Sequence, residues 1–373
     1  MTGKDEKVKI LFLIHDLGHG GAEKVLVNLV NNMDQSKFDI TVMALFGGGV
    51  NEQFLKPHIC YRAIFGRTFR GNSHIMKLIS PRQLHRLFIK EHYDIEVSYL
   101  EGPCARIVSG CPDKDTKLVS WIHCTMHSPD QVARSFRNRA EAAACYNRMD
   151  AVACVAGTVR DAFLKNCAYT GTSVVLYNTN ESGKIQEKAV EEVSLSSEEI
   201  CWCGVGKITQ GKGFDRMIRI QSKLKTAGYP VHLYILGEGN QRKELEGQAE
   251  ACGVSDIVTF LGYQTNPYKY IAKCDLFVCA SFSEGFSTAA TEALIVGTPV
   301  CTVEVSGMKE MLGDNNEWGI VTENNEEALY QGIKRLLDDP ALLAHYREMA
   351  AQRGKTFSTE NTVRAVEDML LSL

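Results

Sequence analysis

Glu284 and Glu292 bracket a turn and a short helix in the stretch Ser-Phe-Ser-Glu-Gly-Phe-Ser-Thr-Ala-Ala-Thr-Glu-Ala-Leu-Ile-Val-Gly-Thr-Pro-Val at 281–300. The apolar run at 275–280 reads as a buried parallel strand. Gly285 permits a sharp turn, Ser287 suits an N-cap, 288–296 suits a helix, and Gly297 and Pro299 end it. A helix that starts just past a strand leaves backbone N–H groups free. Those at Phe286, Ser287 and Thr288 are placed to hold an anion such as phosphate. One carboxylate then reaches a group beyond the phosphates, and the other reaches hydroxyls on the near side. That arrangement suits a nucleotide sugar, with hydroxyls at both ends and a diphosphate between. The competing reading is a pair of glutamates that stabilise a helix dipole on a wet surface.

Three further stretches carry chemistry-bearing residues. Gly206-x4-Gly211-Lys212 nearly spells a phosphate-binding P-loop, but Gly213 stands where the magnesium-binding Ser or Thr is required. Lys207 is a second cation on this loop; a pair of lysines on a solvated loop is the alternative. His123 follows an apolar strand at 118–122, at the strand end where open α/β sheets bind ligands; a histidine satisfied locally by backbone is equally compatible. The glycine-rich turn at 16–23 contains Gly20 and Gly21, but Glu23 replaces the third glycine of a dinucleotide fingerprint. Gly237-Glu-Gly239 fails the same test at Arg242. Asp113-x-Asp115 lies on a polar loop and reads as surface, not as a metal motif.

The segment Glu-Gly-Phe-x5-Glu-Ala-Leu-x2-Gly-x-Pro-Val from Glu284 resembles the signature of retaining GT-B glycosyltransferases of the family 4 type, especially bacterial enzymes of capsular and surface polysaccharide synthesis. The resemblance covers nearly the whole chain, most closely over 200–312 and least over 45–117. It implies that Glu292 binds the ribose hydroxyls and Glu284 the donor sugar. Lys207, where the family usually has arginine, and Lys212 would meet the diphosphate, as would the amides of Phe286, Ser287 and Thr288. Gly262 and Tyr263 would hold the base, Gly237 would pack beside the nucleotide, and Gly20 and Gly21 would line the acceptor and phosphate side. His123 would orient the sugar. The implied activity is transfer of a hexose or N-acetylhexosamine from a nucleoside-diphosphate sugar, UDP-linked, to a saccharide or lipid-linked saccharide, with no metal and no cofactor required. A sugar-nucleotide 2-epimerase of the same fold and a non-catalytic nucleotide-sugar-binding protein are the alternatives.

These residues need strand ends and helix starts to hold them. Strand, glycine turn and helix over 8–33 open a doubly wound α/β domain. Further strands are expected at 38–45, 95–100, 150–156 (with Thr158 capping the next helix) and 174–178. The second domain then repeats the pattern from 200, with strands at 200–206, 231–236 and 258–263. The expected fold is therefore α/β, GT-B, with two Rossmann-like parallel-sheet domains facing across a cleft. The expected boundaries are 1–180 for the acceptor domain, 181–199 for a polar linker, 200–355 for the nucleotide-sugar domain, and 356–373 for a helix crossing back to the first.

The bulk composition is consistent with this. The chain has 373 residues, 45% hydrophobic and 23% charged, with a net charge of −4, which speaks against general nucleic-acid binding. Thirteen cysteines without paired spacing point to reduced thiols in a cytoplasmic protein. The polar start and the short apolar run at 10–14 fit neither a signal peptide nor a membrane span. From 61 to 90 there is no acidic residue, but Arg62, Arg67, Arg70, Lys77, Arg82, Arg86 and Lys90 alternate with apolar side chains. Such a stretch can rest peripherally on an anionic membrane at roughly 1 kcal/mol per basic residue, or be the solvated face of a core helix.

Overall fold

The computed structural model describes residues 7–18, 20–67, 76–195 and 199–373. Arg70 of the basic stretch therefore lies outside the described residues. The chain divides into two compact units, Met1–Asn180 with Glu360–Leu373, and Glu181–Thr359.

In the first unit, among the described residues, seven strands form one sheet: β1 (Val8–Ile14), β2 (Phe38–Phe46), β3 (Cys60–Phe65), β4 (Ile95–Ser98), β5 (Lys117–Ile122), β6 (Ala151–Cys154) and β7 (Thr172–Val175). Their order is β3-β2-β1-β4-β5-β6-β7, and every pairing is parallel. β1 carries five consecutive fully buried residues, Ile10 to Ile14, because helices cover both faces of such a sheet. The helix Gly21–Asn32 follows the glycine turn. The terminal helix Thr359–Leu371 is tied to this unit through Glu367, which accepts the Asp34 backbone N–H at 2.6 Å.

In the second unit the strands are β8 (Ile200–Val205), β9 (Val231–Leu236), β10 (Val258–Gly262), β11 (Leu276–Cys279), β12 (Val300–Val303) and β13 (Ile320–Thr322), in the order β10-β9-β8-β11-β12-β13 and all parallel. Its core joins strand residues such as Trp202, Leu233 and Val278 to Met217, Ile220 and Leu224 of the helix Phe214–Thr226.

Several local expectations shift. The stretch 181–199, expected as linker, contains the helix Ser182–Ala189 and groups with the second unit. Ile185 and Ala189, one helical turn apart, are its buried stripe, hidden in the sequence by charged neighbours. Thr158 is not a cap: the helix begins at Gly157 after Ala156. The strand placed at 174–178 runs instead over Thr172–Val175, since it only borders β6 on one side. All thirteen cysteines are free thiols.

Candidate functional site

The strand orders locate the site-forming ends. In the second sheet, β8 leads to β9 on one side, and the chain later returns to β8's other side as β11. Loops leaving β8 and β11 therefore diverge, and the crevice beyond their carboxyl ends is where doubly wound sheets take ligands. The lysine loop follows β8, and the Ser281–Glu284 turn follows β11.

These two loops are sewn together. The Phe282 N–H donates to the Gly211 carbonyl at 2.9 Å. Gly213 adopts φ +68°, and a Cβ there would lie 2.0 Å from the Ala280 carbonyl oxygen. The residue that disqualified a P-loop is thus the one that lets this loop touch the end of β11. Lys212 Nζ donates to Glu284 Oε1 at 2.6 Å, and Ser281 Oγ donates to the same oxygen at 2.6 Å. The expected cation and carboxylate meet, 72 residues apart in sequence. Lys207 on the same loop is exposed.

The neighbouring loops stack beneath. A Cβ on Gly237 would lie 1.9 Å from the Gly206 carbonyl oxygen, and the Gly237 N–H donates to the Gly262 carbonyl at 2.8 Å. Gly262 itself has φ +69°, and Tyr263 beyond it is 69% exposed, an aromatic face open to a ligand. Sequence reasoning missed Arg216, whose guanidinium stacks 3.6 Å from the centre of the Phe282 ring. An arginine on a helix carries no signal of that partner.

The helix Thr288–Ile295 starts as expected, with Ser287 Oγ accepting the Ala290 N–H at 3.3 Å. The Ser287 and Thr288 amides donate to no protein group among the described residues, as first-turn amides do. Phe286 is buried, its ring 5.7 Å from that of Phe357. Glu292 is only 4% exposed and receives the Tyr268 hydroxyl at 3.5 Å. Tyr268 is a second partner the sequence did not reveal.

In the first unit the chain reverses between β1 and β4. Gly20 precedes the first helix, which begins at Gly21, and a Cβ on Gly20 would meet Glu23 Oε2 at 2.0 Å. Burial, and behind it the Asp16 charge, raise the Glu23 carboxyl above its ordinary range. His15 Nδ1 and Asp16 Oδ2 lie 2.7 Å apart on the same turn. His123 stands just past β5, its ring centre 4.8 Å from that of Tyr99. Burial pushes its imidazole down to about 4, against the pull of Glu101 and a bond to the Tyr99 carbonyl. Its Nε2 is buried without a hydrogen-bond partner. The Asp-x-Asp pair is a surface turn: Asp113 accepts the Asp115 N–H at 3.0 Å and faces His92 at 2.9 Å.

One trio of metal-ligating side chains, His85, Glu96 and Cys111, lies buried among the described residues of this unit. Both Glu96 oxygens sit on His85 Nε2, at 2.9 and 3.0 Å. The trio is thus held together by a buried His85–Glu96 pair with the Cys111 thiol beside it.

The Glycosyltransferase Family 4 pattern matches residues 19–179, and the Glycosyl transferases group 1 pattern matches 186–355. The chain belongs to the family 4 glycosyltransferases. Lys207, Lys212, Glu284 and Glu292 fall in the group 1 part, and Gly20, Gly21 and His123 in the family 4 part. Among curated relatives, the chain is 37% identical over 199 residues to N-acetylgalactosamine-N,N'-diacetylbacillosaminyl-diphospho-undecaprenol 4-alpha-N-acetylgalactosaminyltransferase of Campylobacter jejuni, covering 53% of each protein. The chain thus spans about half the length of that relative in the match. It is 22% identical over 366 residues to the lipopolysaccharide core biosynthesis glycosyltransferase LpsD of Rhizobium meliloti, covering 96% of both. In fold it is similar to HepE of Anabaena, solved with UDP, with TM-score 0.78 and 19% identity over 98% of this chain and 100% of the other. This family 4 glycosyltransferase therefore has the GT-B fold, built from two parallel-sheet α/β domains.

Proposed function

We propose that the chain transfers a hexose or N-acetylhexosamine from a UDP-sugar to a saccharide or lipid-linked saccharide, in surface polysaccharide synthesis, with retention at the anomeric carbon. The observation that carries the reading is the Lys212–Glu284 pair at the β8/β11 switch point, beside a helix start with unspent amides. UDP in the HepE structure, and the lipid-linked and lipopolysaccharide acceptors in the relatives' names, support the donor and acceptor classes.

The chemistry follows from charge. As the glycosidic C–O bond to phosphate breaks, the departing diphosphate gains negative charge and the sugar ring gains positive charge. Lys212 has three N–H donors, of which Glu284 takes one, leaving two for phosphate oxygens. Lys207 and the amides at Phe286, Ser287 and Thr288 share that load, an oxyanion-type role. Glu284 lies on the sugar side and stabilises the ring cation. Glu292 takes the ribose hydroxyls, Gly262 and Tyr263 the base, and Gly237 the nucleotide's close approach. Gly20 and Gly21 line the acceptor side, and His123 accepts a sugar hydroxyl at Nε2. The acceptor hydroxyl attacks the anomeric carbon while its proton passes to the leaving phosphate oxygen, so atoms and charge balance without a protein nucleophile.

The basic stretch supports peripheral binding to an anionic membrane on the cytoplasmic side, where a lipid-linked acceptor would reside. Leu78 is 81% exposed and Leu87 53% exposed, with Arg82 and Arg86 on the same exposed segment. No helix among the described residues is long and apolar enough to cross a membrane.

The test is a panel of nucleotide sugars, read as acceptor-dependent release of the nucleotide and as thermal stabilisation by the donor. Acceptor-dependent UDP release with an α-linked product is expected from α-linked donors. Appearance of an epimerised UDP-sugar without acceptor, or donor binding with no turnover by any acceptor, would overturn the reading.

A further inference from the structure

Glu101 is a charged side chain for which the proposed chemistry has no role. It lies just past β4, beside the carboxyl end of β5. Its Oε2 accepts the His123 backbone N–H at 3.0 Å, and its Oε1 accepts the Cys124 thiol at 2.9 Å. Both oxygens are thus committed to one two-residue turn. Above that turn the His123 ring packs 4.8 Å from Tyr99 and 6.4 Å from Trp121, centre to centre, the latter stacked at 23°. Nε2 of that ring is buried and without a hydrogen-bond partner among the described residues. In the neutral ring with its proton on Nδ1, Nε2 carries a lone pair. An unsatisfied buried polar atom is costly, so the turn that holds it there needs an anchor.

We propose that Glu101 is a positioning residue for His123: by bonding the His123 amide and the Cys124 thiol, it fixes the turn that presents the lone pair of Nε2 to a donor-sugar hydroxyl. The identity of that hydroxyl rests on the transferase reading above; the tether does not. Two donors on one turn call for a group with two acceptor oxygens, which explains a carboxylate here. Glutamine keeps one acceptor and serves the His123 amide alone, and alanine serves neither.

The experiment is a cycle of E101A, E101Q, H123A and E101A/H123A, measured as kcat and KM with a turned-over UDP-sugar. E101A is expected to lower kcat at least about tenfold with a smaller change in KM, and E101Q to restore part of it. In the H123A background, adding E101A should change kcat by no more than about twofold, because the two residues act as one unit. Losses that multiply, or E101Q as damaged as E101A, would overturn the proposal.

A second readout is independent of turnover. Crowding by the surrounding chain, and then the Glu101 carboxylate, push the Cys124 thiol up and hold it protonated. Iodoacetamide labelling of Cys124, located by peptide mass spectrometry, should run several-fold faster in E101Q than in the wild type; equal rates remove the tether. If the wild type turns over no donor, the transferase reading fails by itself. The ¹⁵N spectrum of His123 then decides positioning: one neutral tautomer giving way to a mixture in E101A supports it, and an unchanged spectrum refutes it.

Discussion

Replacing Lys212 by alanine separates chemistry from stability. The ammonium sits 2.6 Å from Glu284, and its side chain is about a third exposed. A pair this wet contributes about 0–1 kcal/mol to folding, so K212A should melt within a few degrees of the wild type. The effect on turnover is larger. The donor diphosphate gains up to one unit of negative charge as it leaves. A unit charge about 4 Å from the ammonium is worth roughly 4 kcal/mol at an effective dielectric near 20. If half to all of that charge has developed in the transition state, the loss is about 2–4 kcal/mol, or roughly 30-fold to 10³-fold in kcat. Removing the lysine also leaves Glu284 held by the Ser281 hydroxyl, with its negative charge less balanced near the leaving group, which pushes the loss toward the upper figure. K212R retains the charge on a longer, planar head and should recover part of the rate. The assay is acceptor-dependent UDP release at saturating donor, with melting temperatures recorded on the same samples. A K212A enzyme within about threefold of wild-type kcat, folded and saturated, would refute the assignment of Lys212 to the leaving group.

Gly213→Ala should cost about 1–3 kcal/mol of stability and most of the activity, because φ +68° and a carbonyl oxygen 2.0 Å from the new Cβ force the lysine loop away from β11; a melting curve and kcat matching the wild type would show that the seam is not needed. Burial lowers the His85 imidazole, but bonds from Cys111 and Glu96 outweigh it and raise it to about 9. A folded-state value above the ordinary 6.5 means that the stabilisation is complete below pH 6.5 and is lost as pH rises through about 9. Thermal melts from pH 6.5 to 9 should fall more steeply in the wild type than in H85Q, and parallel profiles would exclude the pair as the cause. Reversing Arg82 and Arg86 to glutamate, with Leu78→Asp, should abolish salt-sensitive co-sedimentation with vesicles containing phosphatidylglycerol while leaving the melting temperature within a few degrees, since all three side chains are exposed; unchanged co-sedimentation would return this face to plain solvent.

The parts of this chain legible in its sequence are those where one residue type admits one local solution. Ser287 followed by an apolar helix and Gly297 announces a capped helix, and the structure caps it with Ser287 and turns it at Gly297 with φ +79°. Five buried residues in a row announce β1. What escaped is what other parts of the chain decide. β3 is an edge strand whose residues are all exposed or half-buried, and β13 has three residues, so neither shows an apolar run. The helix Ser182–Ala189 buries only three residues, Ser182, Ile185 and Ala189, against neighbours that its own sequence does not display. Glu101 is the sharpest case. Nothing within 22 residues says that its carboxylate belongs to His123. The link exists because β4 and β5 run parallel and adjacent, in register at Ser98 and Ser120, so their carboxyl ends open side by side. Lys212 and Glu284 meet for the same reason, across β8 and β11. In a parallel sheet, polar residues just past the ends of neighbouring strands are forced together whatever their distance in sequence. Strand order is therefore the missing quantity: once it is known, a carboxylate three residues past β4 and a histidine one residue past β5 become contact candidates before any side chain is placed.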